Sequence, residues 1–127
     1  MAKSGDYYIV EVLEPHANWG TYRNPTNRKP IDGETYVKIP AKYARQFKIE
    51  RETKYIAYFE NNFPAMEIKA SGNGPFENGI QYAKQFEGIG KGACKAFTPW
   101  YRECDIQVGD NIKVEFLSPT EILFKKL

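Results

Sequence analysis

Two stretches of the chain hold most of the side chains able to recognise a base edge or a phosphate. The first carries Asn18, Trp19, Tyr22, Arg23, Asn24, Asn27, Arg28 and Lys29; the second, with its flanks, carries Lys69, Ser71, Asn73, Asn78, Gln81 and Lys84. In the major groove of DNA, Arg and Lys donate to guanine and Asn and Gln bond adenine through two contacts, while hydroxyls and lysines hold phosphates. Lys38 and Lys42 lie between the two stretches and join the candidate set as backbone contacts. The plainer reading of the same residues is a pair of solvated polar loops.

Other chemistry is weaker. Glu67-Ile68-Lys69 has the Glu-x-Lys spacing of nuclease metal sites, with Asp32 as a possible second acid. Alternating faces of an exposed strand explain that spacing equally well, with Glu67 and Lys69 outward and Met66 and Ile68 inward. Gly88 to Gly92 (GIGKG) imitates a phosphate-cradling loop but lacks the Ser or Thr that should follow its lysine. His16 has no nucleophile or acid partner that spacing supports. Cys94 and Cys104 are the only cysteines, so no four-ligand zinc set can be assembled, and two buried thiols are expected rather than a disulfide. No catalytic residue, metal site or cofactor is expected.

Charge sharpens the case for the first stretch. From Asn18 to Lys48, seven basic residues (Arg23, Arg28, Lys29, Lys38, Lys42, Arg45 and Lys48) stand against Asp32 and Glu34, a local excess of +5 in a chain whose net charge is only +2. Local excess is what attracts a phosphate backbone, whereas the global sum governs solubility. No stretch approaches the ~20 apolar residues that cross a bilayer, and the residues after Met1 lack the apolar core of a secretion signal. A cytoplasmic protein without a membrane partner is expected.

The elements that must position these residues read as mainly β. Aromatic residues make up 15% of the 127-residue chain, nearly all Tyr and Phe, and such rings suit a half-buried pleated surface. Tyr7 to Leu13 and Glu34 to Ile39 are predicted strands. Between them, residues 14 to 33 form a long polar connection with three prolines and two glycines, and its Trp19 and Tyr22 argue against plain disorder. Pro40 is expected to open a short helix, AKYARQFK, with Tyr43 and Phe47 on its inner side and Lys42, Arg45 and Lys48 off that stripe. Lys54 to Glu60 and Ala65 to Ala70 form a predicted hairpin. Ser71 to Gly79 is a polar loop, Ile80 to Phe86 strand or helix, and Glu87 to Gly92 a turn. Thr98 as N-cap and Pro99 as first residue open a second short helix, PWYREC. Two strands, NIKVEFL and TEILFKK, close the chain. About seven strands and two short helices in one barrel-like domain, residues 1–127, are expected.

This order of pieces resembles the DNA-binding pseudobarrel, or B3-like, family, which includes recognition domains of restriction endonucleases and of plant transcription factors. The resemblance is carried by the long basic loop running into TYVKIPAKYARQF, by the hairpin KYIAYFE to AMEIKA with the polar SGNGPFENG after it, and by PWYRECDIQVGDNIKVEFL. It implies a seven-stranded open pseudobarrel that grips the major groove of double-stranded DNA with two arms, one around Trp19 to Lys29 and one around Lys69 to Lys84. It further implies a recognition module that works as part of, or beside, a restriction endonuclease and is not itself the enzyme. The chain departs from the family in its low overall charge and in a second arm poor in arginine. The competing readings are a small barrel stacking single strands on Trp19, Tyr22 and Phe76, a small Mg²⁺-dependent nuclease using Glu67 and Lys69, and a protein-binding adaptor.

Overall fold

The computed structural model describes residues 2–12, 36–60, 63–89 and 96–127. Strand β1 spans Tyr7–Glu11, β2 Val37–Lys38, β3 Lys54–Phe59, β4 Met66–Ser71, β5 Phe76–Glu77, β6 Ile80–Gln81, β7 Gln85–Gly88, β8 Asn111–Ser118 and β9 Glu121–Lys126; helix α1 spans Ala41–Gln46 and α2 Thr98–Glu103. The period of two in the sequence decides which side chains are buried. Tyr55, Ala57 and Phe59 of β3, Ile68 and Ala70 of β4, Ile112, Val114 and Phe116 of β8, and Ile122 and Phe124 of β9 all point inward.

Seven strands form one sheet in the order β1-β8-β9-β3-β4-β7-β2. All neighbours are antiparallel except β3 and β9, which run parallel with Ile56 opposite Glu121. The sheet curls until its two edges nearly meet. There the Tyr8 hydroxyl of β1 donates to the Lys38 carbonyl oxygen of β2 at 2.9 Å. The fold is thus mainly β, an almost closed seven-stranded barrel with two short helices among the described residues, as expected from the sequence.

The helices plug the two ends of this barrel. On α1, Tyr43 stacks on Tyr8 with ring centroids 5.1 Å apart, and Phe47, just past the helix, meets Phe116 edge-on at 5.7 Å. On α2, Trp100 packs 4.9 Å from Phe59, and Phe97 lies 5.4 Å from Phe124. Both helices begin one residue away from the expected place. Pro40 holds extended backbone (φ −58°, ψ 142°) and so caps α1 from outside, its carbonyl accepting from Tyr43 and Ala44. Phe97 is already turned (φ −83°, ψ −12°) because its buried ring must reach Phe59 and Phe124, so Phe97 is the cap and Thr98 is helical.

The largest departure lies between β4 and β7. The segment read as a polar loop and the first two residues of the next hold a second, two-stranded sheet, β5 with β6, with Phe76 opposite Gln81 and Glu77 opposite Ile80. Asn78 (φ 52°) and Gly79 (φ 79°) both take the left-handed conformation that a two-residue hairpin turn requires. Ile80 to Phe86 is accordingly neither one strand nor a helix, but two strands broken at Tyr82-Ala83-Lys84.

Candidate nucleic-acid interface

Strands β4, β7 and β2 turn one polar face outward. Ser71 pairs with Gln85, and Gln85 with Lys38, so these three side chains form a row across the strands. Alternation puts Ile68, Ala70, Phe86 and Val37 on the buried side. One pleat further along, Lys69 pairs with Glu87 on one side and with Lys54 on the other. Gln85 belongs to this surface although the sequence reading passed over it; its alternation with buried Phe86 was the available signal.

The two candidate stretches meet the sheet two residues apart along β7. The second leaves β4 at Ser71 and rejoins the sheet at Gln85, the first residue of β7. The first returns at Tyr36, level with Glu87, since Val37 pairs with Phe86. Its two described roots are pinned. Val12 N–H donates to Asp110 O at 2.7 Å, and the Tyr101 hydroxyl donates to Tyr36 O at 2.8 Å. Trp19, Tyr22, Arg23, Asn24, Asn27, Arg28 and Lys29 themselves lie outside the described residues, as do His16, Asp32, Cys94 and the end of the Gly88–Gly92 run.

The second stretch is a stapled projection. Gln81 Nε2 donates to the carbonyl oxygens of Gly74 (3.0 Å) and Tyr82 (2.9 Å). Arg45 of α1 places its Nε between both oxygens of Glu77, at 3.0 and 3.1 Å. Arg51 Nη1 donates to Asn73 Oδ1 at 3.0 Å. Gly74 passes so close to the chain that a Cβ there would lie 2.5 Å from Ala83 O, and the Lys84 stem lies over Gly72. Gln81, expected among the base readers, spends its amide nitrogen inside the hairpin. Asn78 stands exposed at the turn, and Lys84 is exposed at its base.

Cations gather at the α1 end. Lys38, Lys42, Arg45, Lys48, Arg51, Lys54 and Lys84 are exposed there. Of these, Arg45 is paired with Glu77 and Arg51 with Glu52, while Lys38, Lys42, Lys48, Lys54 and Lys84 make no ion pair among the described residues. Lys42 instead lies 5.2 Å above the Tyr43 ring. Lys69 is held by Glu52 at 3.4 Å rather than by Glu67. Among the described residues no three His, Cys, Asp or Glu side chains are grouped to hold a metal ion, and no helix is long and apolar enough to cross a membrane. Cys104 is a free, half-buried thiol whose pKa is raised chiefly by burial.

No family model matches the chain, and no curated protein matches it in sequence. A structural likeness exists to a hypothetical protein of Arabidopsis thaliana. The two superpose with a TM-score of 0.56 over 100% of this chain and 95% of that one, at 7% sequence identity. At that identity the likeness is one of fold.

Proposed function

We propose that this chain is a B3-like pseudobarrel that recognises double-stranded DNA, gripping the major groove with two segments and acting as the reading module beside a nuclease. The observation that carries the proposal is the outward row Lys38–Gln85–Ser71, which lies at the root of the second polar stretch and two residues from Tyr36, where the first returns. By register Tyr36 comes level with Glu87, two residues along β7 from Gln85, so at a strand rise of about 3.3 Å per residue the two roots lie roughly 7 Å apart along the strand. Exposed Lys38, Lys42, Lys48 and Lys84, with no ion pair among the described residues, supply phosphate contacts. Asn78 then meets base edges from a hairpin already held by the Gln81, Arg45 and Arg51–Asn73 bonds, so little ordering cost remains at binding.

Selection from random duplexes, followed by fluorescence anisotropy on a retained duplex and on its separated strands, tests this. Expected are preference for the duplex and steep weakening with salt, because each neutralised phosphate releases counterion. Equal or tighter binding to the single strands, or binding indifferent to salt, would overturn it.

A further inference from the structure

Phe76 is 67% exposed, the most exposed large apolar side chain among the described residues. Its position is not accidental to the hairpin. Glu77 is drawn to Arg45, and Ile80, paired opposite Glu77, packs against the core. Phe76, one residue earlier, therefore lies on the other face of the ribbon, pointing away from the body. The left-handed Asn78-Gly79 turn, the Gln81 amide and the Arg45 fork hold the ring there.

The surroundings narrow what such a ring meets. Apart from Pro75, the side chains it shares the projection with are mostly polar: Asn73, Glu77, Asn78, Gln81 and Lys84. The other exposed large apolar residues, among them Tyr7, Ile9, Val108 and Leu117, sit on β1, beyond α2 and on β8. A protein-binding patch has a contiguous apolar centre, which is missing around Phe76 among the described residues. An isolated ring among amides and a lysine suits a surface that is itself mostly polar with isolated apolar groups. The major groove is such a surface, and its apolar group is the 5-methyl of thymine.

We infer that Phe76 is a specificity residue that packs on the 5-methyl group of one thymine in the recognised duplex. This rests on the duplex reading above and adds the chemical group that the hairpin reads. The ring makes a van der Waals contact only, so no proton or bond changes hands.

The test takes a duplex retained from a random library and replaces each thymine in turn by deoxyuracil, which removes that methyl alone. Affinities are measured for the full chain, for Phe76→Ala and for Phe76→Leu. One replacement should weaken the unaltered protein about fourfold, the worth of one buried methyl. Phe76→Ala should bind the parent duplex more weakly and no longer distinguish thymine from deoxyuracil at that position. Phe76→Leu should keep part of the discrimination and, should the alanine variant melt early, carries the comparison alone. Tolerance of every replacement by the unaltered protein, retained sites without thymine, or undiminished discrimination by both variants would overturn the inference while leaving the duplex reading intact. Failure of the unaltered protein to retain any duplex defeats both, and is seen before any substitution is made.

Discussion

The Tyr8 hydroxyl donates to the Lys38 carbonyl oxygen across 2.9 Å, joining the two strands at which the seven-stranded sheet begins and ends. Tyr8 also stacks on Tyr43 of the helix that plugs this end of the barrel. One side chain thus closes the sheet and seats α1, while Lys38 turns its amine outward next to Gln85. Tyr8→Phe keeps the ring and removes only the bond. It should cost about 1 kcal/mol in urea unfolding, the net worth of a typical intramolecular hydrogen bond. Amide exchange at Val37 and Lys38 should rise by more than that in the rest of the sheet. Uniform exchange across the sheet would show that the edges are held by something else.

Alkaline pH should loosen the same barrel. Burial pushes the Tyr8 and Tyr101 hydroxyls well above the ordinary tyrosine value of 10.0, and raises Tyr55 to about 12. Above pH 10 the unfolded chain releases these protons while the folded chain keeps them. The unfolded state then binds fewer protons, so stability falls as pH rises. Below pH 10 their contribution is complete and does not vary. Each retained proton should steepen the loss by about 1.4 kcal/mol per pH unit. Urea titrations on both sides of pH 10, with tyrosinate absorbance followed in parallel, check the sign; a plateau extending past pH 12 would contradict it.

Gly74→Ala should disturb the hairpin from its base. The new Cβ would stand 2.5 Å from Ala83 O and 2.9 Å from Ala83 C, both backbone atoms with little room to yield. A cost of roughly 1–3 kcal/mol is expected, as for other overpacked sites. Because Ala83 N donates to Ile49 O, the disturbance should reach the segment after α1. Chemical shifts of Ile49 and Arg51 report whether it does.

Removing the Arg45 fork should separate local from global stability. The pair is about half exposed on both sides, so Arg45→Ala should move the melting midpoint by less than ~1 kcal/mol equivalent. Amides of Asn78 to Ile80 should nevertheless exchange faster, since Glu77 loses its tie to α1. Dissociation from duplex DNA should accelerate accordingly. Unchanged exchange in the hairpin would assign its rigidity to the Gln81 bonds alone.

Phosphate and base contacts should respond differently to substitution. Lys42→Ala is expected to weaken all duplexes alike and to reduce the salt slope by about 1, as loss of one phosphate contact does. Arg23→Ala or Arg28→Ala should instead cost ~1–3 kcal/mol on the selected duplex and relax preference at one base pair. Unaltered selectivity in both arginine variants would remove the first stretch from the interface.

Much of this architecture is written locally. YYIVEVL, KYIAYFE, AMEIKA, NIKVEFL and TEILFKK are rich in β-branched and aromatic residues, and each contains a strand where one was expected. Tyr43 and Phe47 fall four apart and stack at 5.8 Å, leaving Lys42, Arg45 and Lys48 exposed. The outward placement of Glu67 and Lys69 also follows from period two alone. Even the Asn78-Gly79 turn was legible, because Asn-Gly between short runs is a strong hairpin signal; the polar composition around it hid the strands.

What one residue and its near neighbours could not determine is which strands meet. Strand β3 lies parallel to β9, sixty-odd positions later in the chain (Ile56 with Glu121), and β1 lies beside β8 (Tyr7 with Glu115). Those pairings arise because the inward faces must share a single core around Phe59, Phe86, Phe116 and Phe124, a condition on the whole sheet rather than on any segment. The same long-range closure brings Glu77 to Arg45, Glu52 to Lys69 and the Tyr8 hydroxyl to Lys38. Side-chain types along the chain determined what chemistry was available; the tertiary pairing decided that Gln81 staples a hairpin, that Gln85 joins the outer face, and that Phe76 stands clear of it.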